Sequence, residues 1–524
     1  MEASQVSEII QKITKSRLGF EMRWYIVDRF LEGLHFDRVV KMNADGSYSL
    51  EKFTPAIGIR PIPIPRAEKQ LDSVLNILFF NKPVWKVYPL SPEAETVMLA
   101  DKLNEVFDGL WEVLEMKDKI KNAALFSLKY SVGYLEVGID YNGNLFIETY
   151  SPWNIYHDLG IENLEQTRFL IKVIKKTIGE LKENPEYNPA VLEELKPEDK
   201  SSESEYYEQR FKEKFPVSIS LPEKDFEYVL IKEVWFRKGS KWFMGTECQG
   251  KWLREPREVP YFPFVELNLM RTSLYSSSWV EKLIPLNREI DLLAAYIKNF
   301  IYSTSQGKLL EPKGSKIERI LDKHGERIRY EGGKEPKWLD IPQLSPAVIA
   351  FLQMLQTYMD ERGIAVLSFG KLPSAKLGWK ALESLKQIEL GNLQSFVEEI
   401  AKTLQKLAYK ILEIGTNAWL TEPLEFVYGD KFFKLVSVNS PLWLRKDEEM
   451  IPVSTKWRIK VEIESGLAYT EEGKMEKLLE LLKAGVVTPD EVRERLKLGP
   501  TPIKEVDKLI QQKQEESLIN FEQF

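Results

Sequence analysis

Apolar residues recur every three or four positions over long stretches of the chain, the spacing that places them on one face of an amphipathic helix. This pattern predicts helices over residues 1–34, about 66–80, about 92–133 with a break near Met116, 345–359 and 379–414. Other stretches alternate apolar and polar residues, which is typical of strands. The predicted strands cover residues 83–89, 134–140, 145–150, 228–237, 241–246 and parts of 425–465. The separate runs of helices and strands predict an α+β fold.

Cap and breaker residues mark where several of these elements begin and end. Three prolines within residues 61–65 exclude a helix there, because proline lacks the backbone donor. Ser278 is placed to cap a short helix over residues 279–284. Pro285 suits the first turn of a second, longer helix that reaches Ser303.

Two segments in the middle of the chain lack a helical pattern. Residues 306–344 are rich in glycine and proline, and within 306–340 there are 9 basic residues against 7 acidic ones. We expect a compact subdomain of short strands and turns there. Residues 364–378 contain two lysines and no acidic residue, and we expect them to form an irregular loop.

Length and charge limit the classes of function. A chain of 524 residues is too long for one core, so we expect two to four packed regions. The net charge of -7 is unlike that of a protein that grips DNA through its phosphates. Residues 180–226 hold 13 acidic and 7 basic residues, and they predict a charged helix or a partly disordered insertion.

The sequence contains few residues of the kinds that usually form catalytic or metal-binding sites. The single cysteine, Cys248, allows no disulfide within the chain, and His35, His157 and His324 are far apart in sequence. We expect these histidines to be ordinary core or surface residues. The sequence contains no phosphate-binding loop, metal-binding His motif or nucleophile elbow. We therefore expect no enzymatic activity, no cofactor and no metal. The polar N-terminus and the lack of a long apolar run predict a cytoplasm-like compartment and no membrane.

The order of these elements carries a resemblance. A helix, a small mixed insert, a second helix, a glycine-containing loop, a long helix, strands and a helical tail follow one another from residue 278 onward. This order resembles the portal proteins of tailed bacteriophages. Residues 123–158 are similar to the wing pattern of that family: helix, glycine, strand, Asn142–Gly143 turn, strand, then Pro-x-x-Ile. Residues 475–499 are similar to its helical crown, in which a Gly-Val-Val-Thr turn joins two helices.

The resemblance implies a division of the chain into the regions of a portal subunit. The implied regions are a wing at 1–277 with the acidic insertion at 180–226, stem helix 1 at 278–305, a clip at 306–344, stem helix 2 at 345–363, a tunnel loop at 364–378, a long wing helix and wing strands at 379–467, and a helical crown at 468–524.

The resemblance also implies a function and partners. Portal proteins form rings, usually of about twelve subunits, at the capsid vertex, and viral double-stranded DNA is packaged and ejected through them. The implied partners are other copies of the chain, that DNA, the packaging terminase large subunit, the head–tail adaptor, and the major capsid and scaffold proteins. The implied location is the virion, after assembly in the host cytoplasm.

The resemblance assigns roles to lysines and arginines of this sequence. Lys371 and Lys376, with Lys380 behind them, would face DNA in the tunnel. The basic residues of the clip would contact either DNA or acidic residues of neighbouring subunits, and the near balance of charge favours the second role. These clip residues are Lys308, Lys313, Lys316, Arg319, Lys323, Arg327 and Arg329.

Two other classes of function stay open at the level of sequence. Acidic pairs such as Glu193–Glu194 and Glu398–Glu399 lie in charged or helical surroundings. Separated acidic residues can nevertheless converge on magnesium in a folded chain, which would make a metal-dependent DNA-processing enzyme. A head–tail adaptor or scaffold protein without a DNA channel is the third possibility.

The tunnel-loop assignment generates a test. Deleting residues 365–377 is expected to leave ring assembly intact and to impair DNA packaging or retention, because the loop would touch DNA and not the neighbouring subunit. Particle assembly is followed by electron microscopy and packaging by protection of DNA from nuclease. Unchanged packaging would refute the assignment.

Overall fold

The structure is a computed structural model. It describes residues 2–44, 48–53, 61–79, 83–89, 94–140, 144–197, 228–270, 273–305, 309–310, 316–317, 330–331, 337–338, 343–362, 379–418, 424–428, 431–437, 442–446, 449–453 and 457–463.

The described residues form nine helices longer than one turn, numbered α1 to α9 in chain order. They are α1 Ala3–Leu31, α2 Arg66–Leu78, α3 Ala94–Val113, α4 Met116–Tyr130, α5 Ile178–Glu183, α6 Pro189–Glu193, α7 Trp279–Ser305, α8 Pro346–Arg362 and α9 Trp379–Ala418, with a single 3-10 turn at Leu164–Gln166.

The strands of the described residues are numbered β1 to β20. They are β1 Arg38–Met42, β2 Tyr48–Lys52, β3 Pro83–Pro89, β4 Gly133–Ile139, β5 Leu145–Tyr150, β6 Ile155–His157, β7 Phe169–Thr177, β8 Tyr228–Lys238, β9 Lys241–Cys248, β10 Lys251–Val259, β11 Phe264–Leu267, β12 Leu309–Leu310, β13 Lys316–Ile317, β14 Tyr330–Glu331, β15 Lys337–Trp338, β16 Leu424–Tyr428, β17 Lys431–Ser437, β18 Leu442–Lys446, β19 Glu449–Val453 and β20 Trp457–Ile463.

The predicted α+β class is confirmed, and the sheets are antiparallel. The largest has the order β10-β9-β8-β7-β6, and a three-stranded sheet has the order β11-β4-β5. Strand β3 pairs with β20 along all seven residues of each, which joins the beginning of the chain to its later half. Strands β16 to β19 form a meander. Four two-residue strands pair as β12 with β15 and β13 with β14, so the prediction of short strands within 306–344 is confirmed.

Helix α1 runs between the two main packed regions. Its first half places Val6 and Ile13 on one face of the five-stranded sheet, against Ile171 and Val234. Its last turns join a larger core to which α2, α3, α4, α7, α8 and α9 also contribute. One long helix therefore connects the sheet region to the helical region.

A buried charge holds the middle of α1 in place. The side chain of Arg17 is fully buried, and its Nε donates to Oε1 of Glu21 at 2.6 Å. Its Nη1 donates to the backbone oxygen of Ile155 at 2.6 Å, and its guanidinium lies 3.9 Å from the ring centre of Tyr156. Breaking such a pair leaves an uncompensated buried charge, so these contacts fix the register of α1 against β6.

Two predicted boundaries were wrong. Residues 279–284 and 285–303 are one continuous helix, α7, and Pro285 lies inside it. An interior proline costs a helix about 3 kcal/mol, and burial of Trp279, Val280, Leu283 and Ile284 offsets that cost because each such side chain contributes roughly 1.5–3 kcal/mol.

No strand was predicted between residues 247 and 265, but 251–259 form strand β10. Its ladder with β9 has register shifts between Trp252 and Arg254 and between Arg254 and Arg257. Pro256 lies within the second shift, at the edge of the sheet. Edge strands and bulges are the positions in a sheet that tolerate proline, which explains the error.

The first part of the acidic segment is folded. Helices α5 and α6 bury Leu181 and Leu192 in a small core with Leu253 of β10. The backbone N–H of Asn188 donates to the oxygen of Leu253 at 2.8 Å, so the segment covers the free edge of the sheet.

Ion pairs reinforce this cover. Glu186 pairs with Arg254 and Arg257, and Glu194 pairs with Lys251. Residues 198–227, the rest of the acidic segment, lie outside the described residues. Of the two predictions for this segment, a charged helix is confirmed for its first part.

A buried group of two acids and one base joins the two main sheets. Nζ of Lys172 in β7 lies 2.6 Å from Oε2 of Glu136 in β4 and 2.7 Å from Oε2 of Glu233 in β8. Burial raises the pKa of Glu136, and the attraction of Lys172 only partly opposes this. Burial alone would lower the pKa of Lys172, but the two carboxylates hold it well above its ordinary value. When all three side chains are ionised, the two carboxylates exceed the single ammonium by one negative charge, and burial together with this excess is why Glu136 holds its proton more tightly than usual.

The variant Glu136→Gln tests this excess charge. The raised pKa means that the folded chain keeps the proton of Glu136 over a pH range in which the unfolded chain has lost it, so stability falls as pH rises through that range. Replacing Glu136 by Gln removes this loss of stability. The unfolding free energy of the variant, relative to that of the natural chain, is therefore expected to be on the order of 1 kcal/mol higher at about pH 8 than at about pH 5. Urea unfolding at both pH values measures it.

The matched control for this variant is Glu148→Gln on neighbouring strand β5, where an exposed glutamate pairs with Lys119. Exposed pairs of this kind contribute little, so the control is expected to leave the pH dependence unchanged. Equal destabilisation by Glu136→Gln at both pH values would contradict the predicted excess of negative charge.

Candidate functional site: an exposed apolar helix pair

Helix α7 begins at a capping box. The backbone N–H of Glu281 donates to Oγ of Ser278 at 3.0 Å, and the backbone N–H of Ser278 donates to Oε2 of Glu281 at 3.3 Å. The predicted cap at Ser278 is confirmed. The first turns of the helix are buried in the core, and its last turns leave it.

Helix α8 runs back along α7. Ser345 caps the start of α8, and its backbone oxygen accepts a hydrogen bond from the backbone N–H of Val348 at 3.0 Å. The helix then places Leu352, Leu355 and Met359 in the core that α7 shares. Helices α7 and α8 are called the helix pair below.

The helix pair carries most of the large apolar side chains that the described residues expose. Tyr302 is 63% exposed and Ile301 is 54% exposed at the end of α7. Phe351 is 45% exposed in α8. The other members are Tyr296, Ile349, Met354 and Tyr358. Contiguous exposed apolar side chains often mark contact sites in proteins, so this surface is the candidate contact site.

Charge is nearly absent from this surface. Residues 346–359 contain no charged side chain, and residues 292–305 contain only Lys298. Nζ of Lys298 lies 5.8 Å from the ring centre of Tyr302, so even this cation is placed over an aromatic ring. Depletion of charge is characteristic of the buried centre of protein interfaces.

Two apolar stripes run along α8, one residue apart. The inward stripe is Val348, Leu352, Leu355 and Met359, and the outward stripe is Ala347, Phe351, Met354 and Tyr358. Both repeat at intervals of four, three and four residues, the spacing by which helices pack against helices. One residue corresponds to about 100° around the helix axis. Thus one apolar stripe of α8 faces the core of the chain, and the other is exposed.

Polar groups hold the base of the helix pair. Asp291 of α7 accepts at Oδ2 from Nδ1 of His35 at 2.6 Å, and both side chains are buried. The ring of His35 stacks on Phe30 with centres 3.9 Å apart. Arg288 donates to the backbone oxygens of His35 and Arg38 at 2.8 Å each. These contacts tie α7 to the end of α1.

The described histidines are core residues, as predicted. Besides His35, His157 is buried, and its Nε2 lies 2.7 Å from the hydroxyl of Tyr134. Burial lowers the pKa of His157 to about 4, so the ring is neutral near pH 7. His324 lies outside the described residues.

The predicted DNA-contacting residues cannot be placed beside the helix pair. Lys371 and Lys376 lie outside the described residues. Lys380 lies at the start of α9, and Lys316 lies in β13, but their side chains lie outside what the structure describes. The remaining predicted clip residues, Lys308, Lys313, Arg319, Lys323, Arg327 and Arg329, also lie outside the described residues.

Acidic residues in the described part of the chain are not arranged as a metal site. Nowhere among those residues do three or more histidine, cysteine, aspartate or glutamate side chains converge to hold a metal. Glu194 pairs with Lys251, and Glu399 pairs with Lys402 at 2.7 Å. In the same residues, no helix has both the length and the apolar character needed to cross a membrane.

A scan against protein-family models and a search of the curated proteins each found no match to this chain.

Sequence reasoning missed the residues that position this surface. The two mid-chain helices were predicted, but Asn287 and Asp291 were not singled out, and His35 was expected only to be an ordinary core or surface residue. The sequence offered one signal, since Asn287 and Asp291 lie four residues apart and therefore on the same face of the helix as the apolar Leu283 and Ile284. Buried polar residues at such spacing require partners, which only the folded chain identifies.

A pair of lysine substitutions tests whether the outward stripe of α8 is a contact surface. Phe351→Lys and Tyr358→Lys are each expected to weaken self-association by roughly 2 kcal/mol, about thirty-fold in Kd, because a desolvated charge replaces an apolar contact. Sedimentation velocity over a range of concentrations measures it.

Thr357→Lys is the matched control for these substitutions. Thr357 is exposed on the same helix but outside both stripes. The control is expected to associate like the natural chain. Equal behaviour of all three variants would exclude the stripe as the interface.

Proposed function

We propose that this chain is a structural subunit of a portal ring, through which the double-stranded DNA of a tailed virus is packaged and ejected. The observation that carries the proposal is the exposed, nearly charge-free helix pair, which a single chain leaves uncovered. The order of elements from α7 to β20, with short paired strands between the two helices of the pair, supports the same proposal.

Copies of the same chain are the partner that fits this surface. Each copy offers an outward stripe on α8 and exposed apolar residues on α7, such as Tyr296. A contact between unlike surfaces of identical chains repeats head to tail, and it closes into a ring when the rotation between copies allows. Because Lys298 is the one charged residue within 292–305 and 346–359, little repulsion between like charges opposes this association.

The charge of the chain is consistent with a passage for DNA. A channel through which DNA slides should hold phosphates weakly, since each neutralised phosphate adds to affinity. Ring symmetry multiplies every cation, so Lys371, Lys376 and Lys380 would each form a cationic circle. The clip bases would pair with acidic residues of adjacent copies or contact DNA.

The proposal includes the partners of such a ring. They are the packaging terminase, the head–tail adaptor, and the major capsid and scaffold proteins, with the assembled ring located at one vertex of the capsid. In this role the chain performs no chemistry of its own.

The mass of the native particle tests the proposal. The purified full chain is expected to form a closed ring of about twelve copies, alone or with scaffold protein. Native mass spectrometry and negative-stain microscopy detect such a ring. A chain that stays monomeric under both conditions would overturn the proposal.

A second measurement separates the ring from a DNA-processing enzyme. The same preparation is incubated with linear double-stranded DNA and magnesium, and the DNA is expected to remain intact. Cleavage that disappears when acidic residues are substituted would favour the enzyme instead.

A further inference from the structure

The five-stranded sheet carries four exposed basic residues at one of its ends, and these residues are called the basic end below. They are Arg168 just before β7, Arg237 and Lys238 at the end of β8, and Lys241 at the start of β9. The side chain of Arg168 is 83% exposed. Strands β8 and β9 are joined there by a two-residue turn, and a Cβ atom added to Gly239 in that turn would meet no other atom within 4 Å. The basic end is therefore open to solvent.

Like charges lie opposite each other across the strands of the basic end. The register of β7 and β8 places Arg237 opposite Arg168, and the backbone N–H of Arg237 donates to the oxygen of Arg168 at 2.8 Å. Lys238 is the register partner of Lys241. Like charges directly opposite each other destabilise a sheet. Two such pairs side by side indicate that the compensating negative charge comes from a partner.

Two of the four bases are paired with acidic residues of the chain. Arg168 donates to the carboxylate of Asp158 from Nε at 3.2 Å and from Nη2 at 2.8 Å. Nζ of Lys241 lies 2.7 Å from Oε1 of Glu258, and both of these side chains are more than half exposed. Exposed pairs of this kind are weak, so Lys241 can exchange its partner at little cost.

The other two bases are not paired with an acid. Within the part of the chain that the structure describes, Arg237 and Lys238 form no ion pair, and both are exposed. Nζ of Lys238 lies 6.0 Å from the ring centre of Phe243, a contact that leaves its positive charge in place. The basic end thus keeps a surplus of two positive charges, although the net charge of the chain is -7.

The bases are distributed over both faces of the sheet. Successive residues of a strand place their side chains on opposite faces. Arg168 and Arg237 are therefore on one face, and Lys238 and Lys241 are on the other. One small anion cannot contact both faces, whereas a polymer with closely spaced anions can do so when it crosses the end of the sheet.

We propose that the basic end binds the phosphate backbone of duplex DNA without regard to base sequence. Duplex DNA carries one negative charge per roughly 1.7 Å of its axis, so it supplies anions across the whole basic end. The planar guanidinium of Arg237 suits a phosphate, because it can donate two hydrogen bonds to one anion. Contacts to phosphate carry no sequence information. One chain makes this contact, so it depends neither on the ring nor on Lys371 and Lys376.

Fluorescence anisotropy of a short labelled DNA duplex with the full-length protein tests the proposal at several salt concentrations. The double variant Arg237→Gln with Lys238→Gln is expected to bind roughly tenfold more weakly at low salt. The slope of log Kd against log salt concentration is expected to fall by about 2, because each lost phosphate contact contributes about 1.

A second double variant controls for net charge. Lys117→Gln with Lys182→Gln removes two exposed bases, one from α4 and one from α5, and is expected to bind DNA as the natural chain does. Equal weakening by both double variants would overturn the proposal, because only the net charge of the protein would then matter.

A gain of affinity separates the contact from a loss of folding. Glu258→Gln releases Lys241 and is expected to tighten DNA binding about threefold to tenfold. Glu255→Gln removes an exposed acid from the same strand and is expected to leave binding unchanged. Unchanged or weaker binding by Glu258→Gln would contradict the proposal.

Competition separates DNA from an acidic protein segment as the partner. Polyglutamate at the same concentration of charge is expected to displace the labelled duplex poorly, since a flexible chain loses conformational freedom when it binds. Displacement as effective as that by unlabelled duplex would assign the basic end to an acidic protein segment and overturn the proposal. Two duplexes of unrelated sequence are expected to bind equally, and a clear preference for one would also refute it.

Discussion

The rest of the architecture depends on apolar surface that one chain cannot bury. Helix α8 has room in the core for one apolar stripe, and the second stripe, through Phe351 and Tyr358, faces outward. Solvated apolar surface is unfavourable roughly in proportion to its area. The helix pair is therefore a candidate contact surface, and its scarcity of charge favours an apolar partner. Our proposal of a ring builds on this surface.

The body of the chain is built to hold that surface in a defined direction. Helix α1 connects the five-stranded sheet to the helical core, and the buried Arg17–Glu21 pair fixes its position along the way. The end of α1 contacts α7 through His35 and Asp291. In each place buried polar groups join elements that apolar packing alone would allow to slide, because hydrogen bonds have direction and apolar contacts do not.

Charge in this protein is organised locally, and the net value of -7 hides that organisation. Glu186, between α5 and α6, and Glu194, just after α6, pair with basic residues of β10 where this segment covers the edge of the sheet. Between the two sheets, Lys172 is surrounded by two carboxylates. Acidic and basic residues are used here to join and protect sheets, whereas the exposed helix pair avoids them. This separation lets a surface without charge associate while the remaining surface stays hydrated.

The order and type of most elements were predictable from the sequence, because the periodicity of apolar residues reflects which face of each helix or strand is buried. This holds for α1, α2, the helix pair and the hairpin of β4 and β5. The continuity of α7 through Pro285 and the strand at β10 were not predictable, since tertiary burial and an edge position outweighed the local preference of proline. Only the tertiary structure decided three other features. They are the pairing of β3 with β20, the burial of Asn287 and Asp291, and which stripe of α8 remains exposed. The physical reason is that periodicity records how many faces of a segment are apolar, while the partner of each face depends on residues far away in the chain.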